Sequence, residues 1–277
     1  STGRVYGSVY EPTTMGGCAE FDTWPDGNGK GGAAIHLVAE VLELYGTIRA
    51  NGRTGGRNER PSGAGGSVWI QAGILRGSGG AITAHACGDS AAGMGGGGRI
   101  AVYCSVNEYT GTRPTLITRS QVNGWRHHAY NRASRAGPVY WDCGGLPGRG
   151  ILILDDEDHL ATNEVTKHLP SDVLPTLLPC EPSGSSHSLA SISLSNGAKL
   201  SFNATAASIT SIDSLDGDGT GELHLSGGTL AIAPGAASLS LSEMTVCVEA
   251  GTDLTLPETL SASGGAGAEL VNDGIIR

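Results

Sequence analysis

Asp155, Asp156, Glu157 and Asp158 stand in a row beside His159 in the string LDDEDH, residues 154–159. Carboxylate oxygens are the preferred ligands of Ca²⁺, so Asp155, Asp156 and Asp158 are the residues here that suit a calcium ion. Successive strand residues point to opposite faces, however, so the four acids do not all reach one ion. The run therefore reads first as a solvated acidic turn, and no cofactor is expected unless it is calcium. DGDGTGE, residues 216–222, places Asp216 and Asp218 like the start of an EF-hand loop. Such a loop needs a carboxylate at its twelfth position, and counting from Asp216 that position is Gly227, which has no side-chain oxygen. A tight turn is the better reading.

QVNGWRHHAYNRASRAG, residues 121–137, gathers aromatic and basic side chains in an acidic, aromatic-poor chain. Trp125 and Tyr130 suit the faces of sugar rings, while Arg126, His127 and His128 suit acidic groups on a glycan or a neighbouring subunit. With Trp69 and Tyr103 as outward residues of nearby strands, they would line a groove for a glycan or a partner. A loop that packs on itself and covers the strands explains the same composition. Catalysis finds less support. A glycosidase needs two carboxylates facing each other across a cleft. Glu40 and Glu43 are close in sequence, but their repeat equivalents are Gly73 and Arg76, so no acidic row forms. No base beside a calcium cluster marks a polysaccharide lyase, and no G-x-S-x-G supports a Ser-His-Asp triad. No catalytic residue is assigned, and the chain is read as not an enzyme.

The six cysteines, Cys18, Cys87, Cys104, Cys143, Cys180 and Cys247, include no C-x-x-C pair. An even number without metal spacing reads as disulfides formed in an oxidising compartment. Cys18–Cys87, Cys104–Cys143 and Cys180–Cys247 are the pairings expected among about fifteen arrangements open to six cysteines. Only the middle pair has geometric support, since both members fall near equivalent edges of successive repeats. Asn203 begins an Asn-Ala-Thr glycosylation sequon, which also suits secretion. A formal charge of −10 without a large basic stripe excludes nucleic acid as a partner. No run of 18 apolar residues is present, so no membrane-spanning helix is expected. The opening STGRVYGSVY reads as a processed start or an excerpt.

The elements that must position these groups emerge from a repeat. GGAAIHLVAEVLELYGTIRANG (31–52) aligns with GGSVWIQAGILRGSGGAITAHA (65–86), then with GGGGRIAVYC (95–104) and AGPVYWDCGG (136–145). Ile35, Val68, Ile100 and Val139 fall at offsets of 33, 32 and 39 residues. Leu37 matches Ile70, Ala39 matches Ala72, Leu42 matches Leu75, and Ile48 matches Ile82. Within each copy apolar residues alternate, with Ile35 and Leu37 on one face and His36 on the other. That is the period of a half-buried strand. One copy cannot bury its own apolar row, whereas stacked copies build a continuous column. The glycines then serve the corners, where backbones turn and approach closely. A phosphate-binding reading of GGGG fails, because no G-x-x-x-x-G-K-[ST] exists and the residues that follow have strand periodicity.

Four regions are expected. Residues 1–30 form an irregular N-terminal cap, and 31–158 form glycine-rich turns of 33–39 residues. Residues 159–189, broken by Pro170, Pro175, Pro179 and Pro182, form irregular strands or a spacer rather than a helix. Residues 190–277 form narrower Ser-, Thr- and Ala-rich turns of roughly 20 residues. The fold expected is all-β, a right-handed parallel β-helix (β-solenoid) with inserted loops.

The strings GGAAIHLVAEVLELYGTIRANG, GGSVWIQAGILRGSGGAI and GGGGRIAVYC resemble the glycine-rich β-helix modules of very large secreted and cell-surface proteins of microbes and protists. LDGDGTGELHLSGGTLAI is similar to the turns of autotransporter and adhesin passengers. Together the resemblances extend over some two thirds of the chain, and they specify fold rather than chemistry. They imply a surface, adhesive or structural role and carry no catalytic motif. The cysteines depart from the usual glycine-only turns. The function expected is an extracellular structural segment of a filament, appendage or adhesin, partnered by copies of itself, by other surface proteins or by glycans. The alternative is a carbohydrate-active β-helix protein, either lyase-like or glycan-binding. An ice-binding solenoid would need a regular Thr-x-Thr row, which is absent.

Overall fold

The computed structural model describes residues 7–18, 29–53, 62–88, 95–122, 136–145, 149–156, 176–177, 186–203, 208–226, 229–231, 238–241, 244–255, 261–264, 269–273 and 275–276. Among them there is no helix; the protein is all-β, and every strand pairing is parallel. The chain divides into two compact units. One consists of Tyr6–Gly145 with Asp156–Val173, the other of Ser1–Val5, Leu146–Asp155 and Leu174–Arg277.

The first unit contains β1 (Ala34–Leu44), β2 (Thr47–Arg49), β3 (Ser67–Gly77), β4 (Ala81–Thr83), β5 (Ala86–Gly88), β6 (Arg99–Tyr109), β7 (Thr115–Ile117), β8 (Ser120–Val122) and β9 (Val139–Cys143). The strands β1, β3, β6 and β9 pair in that order. The register follows the repeat read from the sequence: Ile35, Val68, Ile100 and Val139 lie side by side, as do Leu37, Ile70, Val102 and Trp141. Val68, Ile70, Leu75, Ile100 and Val102 are fully buried. Each buried aliphatic side chain of this size contributes roughly 1.5–3 kcal/mol, so the rows are the main source of stability here. A second ladder, β2–β4–β7, sets Ile48 beside Ile82 and Leu116, and a third pairs β5 with β8.

Glycine joins successive repeats. Gly66 N donates to Ala50 O, Gly98 N to Ala84 O and Gly137 N to Thr118 O, so a residue at the start of one repeat bonds one near the end of the repeat before it. A Cβ on Gly98 would lie 2.1 Å from Gly66 O, and one on Gly97 would lie 1.6 Å from Thr118 O. No side chain fits there. Gly95, Gly97 and Gly98 are therefore required by close backbone approach, whereas a Cβ on Gly96 would meet open space; none of the four has positive φ.

The segment expected as a cap behaves differently where it is described. Ser8–Gly17 crosses the outer faces of β3, β6 and β9 as a strap. Val9 and Pro12 are buried beneath it, while Glu11, Thr13 and Met15 face solvent. Residues 19–28 lie outside the described residues.

The second unit contains β10 (Ile151–Asp155), β11 (Thr176–Leu177), β12 (Ser186–Ser195), β13 (Lys199–Asn203), β14 (Ser208–Gly217), β15 (Gly221–Ser226), β16 (Thr229–Ala231), β17 (Ser238–Leu241), β18 (Met244–Val248), β19 (Asp253–Thr255), β20 (Ser261–Gly264), β21 (Glu269–Asn272) and β22 (Ile275–Ile276). One ladder runs β10–β12–β14 and then divides, β16–β19–β22 pairing with the first half of β14 and β17–β20 with the second. The other ladder is β11–β13–β15–β18–β21. Leu200, Leu223, Val246 and Leu270 are in register at spacings of 23, 23 and 24 residues. Within the Pro-rich region 159–189 the described residues are strand: β11 and the first residues of β12, each of which joins one of the two ladders.

Candidate functional site

The outer face of the β1–β3–β6–β9 ladder carries a row of polar and aromatic groups. Its side chains follow from alternation: where Ile35, Val68 and Ile100 point inward, their neighbours point out. His36 and Trp69 are register partners, and their rings stack in parallel with centroids 3.9 Å apart. His36 Nε2 also lies 3.0 Å from Gln71 Oε1. Further along, Arg76 Nε donates to Glu43 Oε1 at 2.9 Å, and Glu108 follows Arg76 in the next strand. The repeat alignment had already put Arg76 opposite Glu43; the contact is an ion pair between adjacent strands.

The strap covers the other half of this face. Tyr103 donates its hydroxyl to Tyr10 O at 2.9 Å, and Tyr10 meets Tyr140 edge-on at 4.7 Å. Ser67 Oγ donates to Thr14 O at 2.6 Å, and Arg99 Nη2 donates to Thr14 Oγ1. The backbone then joins the corner glycines through Gly16 N to Gly32 O and Ala64 N to Gly17 O. Two of the expected glycan contacts are thus engaged within the protein, Trp69 by the His36 ring and Tyr103 by the strap. Trp125, Arg126, His127, His128 and Tyr130 lie outside the described residues. The repeat alignment of His36 with Trp69 was the signal for their stack. Nothing in the sequence marks the strap, which is held by hydroxyls and carbonyls rather than by a repeat.

The acids of LDDEDH do not converge where they are described. Asp155 Oδ1 accepts from Asn196 Nδ2 at 2.8 Å, within the second unit. Asp156, buried in the first unit, accepts from Ala136 N at 2.6 Å. Asp158 lies outside the described residues. Among the described residues no group of three or more His, Cys, Asp or Glu side chains is arranged to hold a metal ion. Asp218, at a turn, is occupied as well, accepting from Asn196 N at 2.7 Å and Thr220 N at 3.0 Å. Partial burial raises its pKa, but these hydrogen bonds outweigh burial and hold it below the ordinary carboxylate value.

Cys104 and Cys143 form a disulfide between register partners of β6 and β9, their Cα atoms 4.4 Å apart. The other two expected pairings are not formed, because Cys18 and Cys247 are free. Cys18 is exposed on the strap and accepts from Gly31 N, while Cys247 sits on the outward side of β18 opposite His224 and Val271. Cys87 lies in β5, and Cys180 lies outside the described residues. Asn203 ends β13, opposite Ser226.

Around Cys247 the second unit carries a grid of charges. Lys199 Nζ is 2.7 Å from Glu222 Oε1, His224 Nε2 is 2.9 Å from Glu222 Oε2, and His224 Nδ1 is 3.2 Å from Glu249 Oε1. Burial raises the pKa of Glu222, but its bonds to Lys199 and His224 prevail and lower it. Burial, then Glu222 and Glu249, raise the Cys247 thiol, so the site favours the unreactive thiol over the nucleophilic thiolate. In the first unit, His85 Nε2 accepts from Asn51 Nδ2 at 2.8 Å, and its Nδ1 donates to Ala86 O at 3.1 Å. Burial is the main cause of its lowered pKa.

No protein-family model, curated protein or solved structure matches the chain.

Proposed function

We propose that the chain is an extracellular structural protein, a right-handed parallel β-solenoid segment of a filament, surface appendage or adhesin. It associates through the strand edges at its ends or through its side faces, and it performs no catalysis. The observation that supports this reading most directly is β1. Its inward residues Ile35, Leu37, Ala39 and Leu42 are only half-buried, whereas Val68, Ile70 and Leu75, one strand along in the same rows, are fully buried. Among the described residues no strand pairs with the other edge of β1. An apolar strand of 11 residues with an open edge is a template for another strand. Leu270, Val271 and Ile275, near the last described strands, are also exposed. The disulfide suits an oxidising, extracellular compartment. The engaged state of Trp69 and Tyr103 and the pairing of the acids weigh against an open catalytic or glycan-binding groove.

Sedimentation and electron microscopy of the full chain across a concentration series test this reading. Concentration-dependent filaments or ordered oligomers are expected, and Val38→Lys on the exposed side of β1 is expected to suppress them while leaving the fold intact. A monomer at every concentration, or release of reducing ends from a polysaccharide, would overturn it.

A further inference from the structure

β1 ends the β1–β3–β6–β9 ladder, and its alternation changes phase part-way along. Ile35, Leu37, Ala39 and Leu42 are inward and half-buried, and Leu44 is inward and buried. Between Ala39 and Leu42 the neighbours Glu40 and Val41 are both exposed. β3 carries the same change in register, with Ala72 and Leu75 buried on either side of Gly73 and Ile74. A parallel strand laid on the open edge of β1 would have to repeat that change. The strands that end the second unit's ladders, β20, β21 and β22, hold four, four and two residues against the 11 of β1. Seated head-to-tail on β1, they would leave most of its edge open.

An antiparallel copy of β1 fits instead. Side chains directly opposite in an antiparallel pair share a face. With Ile35 set opposite Leu44 of the second copy, Leu37 faces Leu42 inward and His36 faces Glu43 outward. Val38 then meets the adjacent pair Glu40 and Val41, all three outward. Two neighbours opposite one residue make a β-bulge, and one bulge on each strand brings Ala39 against its own counterpart at the centre. Every inward residue from Ile35 to Leu44 meets an inward residue, and the His36 imidazole meets a carboxylate. Slipping the pair by one residue upsets this, because inward side chains then fall opposite outward ones. Slipping it by two, in either direction, leaves Ile35 or Leu44 opposite residues beyond the ends of β1.

We infer that β1 pairs antiparallel with β1 of a second copy of this chain across a two-fold axis, in the register that sets Val38 beside Val41. Such a contact is isologous: it closes on itself and joins two copies rather than an open row. A longer filament grows from other surfaces of that pair. The inference rests on the proposed association between copies and names the strand, direction and register that make it.

The test is sedimentation velocity of the full chain across a concentration series, for wild type, Val38→Lys, Val41→Glu and an equal mixture of the two variants. Both side chains are exposed, so both variants keep the fold, which circular dichroism checks. Each variant alone is expected to weaken pairing by about tenfold or more, since symmetry places each substitution in the junction twice. In the mixture the new lysine meets the new glutamate at one end and the two valines remain at the other. Affinity is then expected to return to within about threefold of wild type. Val38→Lys mixed with Val38→Glu carries the same charges at positions that do not meet, and is expected to stay weak. Recovery in the first mixture and not in the second establishes the junction, whether or not larger species form. Equal recovery in both, no recovery in either, oligomers indifferent to the substitutions, or tighter pairing of Val38→Lys overturns the junction while association itself stands. Wild type that stays monomeric throughout overturns the association reading, and the junction with it.

Discussion

Both units stack parallel ladders on buried aliphatic rows, but they join successive repeats differently. In the first, backbone meets backbone: Gly66, Gly98 and Gly137 hydrogen-bond directly to Ala50, Ala84 and Thr118. In the described part of the second, aliphatic rows make the join: Leu200, Leu223 and Val246 align in register, 23 residues apart, and are buried. Backbone packing tolerates no added atom, whereas a side-chain row relaxes around a lost methyl group. The first unit also carries two devices absent from the described part of the second, a disulfide between strands and a strap over the outer face.

The largest expected effect attacks that contrast directly. Gly98→Val places new atoms against Gly66 O and Ala84 O, 2.1 Å and 2.6 Å from its Cβ. It should cost more than about 4 kcal/mol, enough to abolish cooperative unfolding of the first unit in a denaturant titration. Gly219→Ala, at a turn of φ +85° with open space around it, should cost about 1 kcal/mol in the second unit. Similar losses at the two positions would erase the distinction. Next in size are the core truncations Ile70→Ala and Leu223→Ala, each about 2–5 kcal/mol by chemical denaturation. Two separable transitions, each shifted by one variant only, would sharpen the comparison. The Cys104→Ser, Cys143→Ser double variant should lose roughly 2–4 kcal/mol from the first unit alone.

Acid should affect the units in sequence. His85 in the first unit has a lowered pKa, so it binds a proton more readily when unfolded; its contribution is present above about pH 6.5 and is lost as pH falls through its folded value. Glu222 and Asp218 in the second unit are depressed carboxylates, whose contributions are present above about pH 4.5 and are lost as pH falls through their folded values. Melting followed from pH 7 to pH 3 should show the first unit losing stability before the second. The smallest effect concerns thiols: a maleimide at pH 8 should label exposed Cys18 before Cys247, and the reverse order would contradict the shielding of Cys247.

Much of this arrangement was legible in the sequence, and the legible parts share one property. Where each copy repeats a residue's environment, spacing predicts position: Ile35, Val68 and Ile100 align at offsets of 33 and 32 and lie side by side. The same logic placed Cys104 beside Cys143, the one expected disulfide with support from equivalent positions. It also contained the His36–Trp69 stack and the Glu43–Arg76 pair, which alternation alone does not reveal as contacts. What repetition does not encode was not legible. The strap is a single segment that meets the sheet through Tyr10, Thr14 and its own carbonyls, and nothing elsewhere in the chain rhymes with it. Arg99 reads as an ordinary polar residue before a strand until its burial is known. Asp155 and Asp156 do not converge for a local reason, since these neighbours find separate partners in Asn196 and Ala136.

The bond between Cys104 and Cys143 has a mechanical meaning. It joins residues 39 apart in sequence whose Cα atoms are 4.4 Å apart, so a pulling force transmitted along the chain bypasses everything between them. Stretched out, that stretch of polypeptide would span roughly 130 Å. While the sulfurs remain joined, this length is hidden from the load; reduction would release it as slack, so the redox state of the surroundings sets how far the molecule can extend before it breaks.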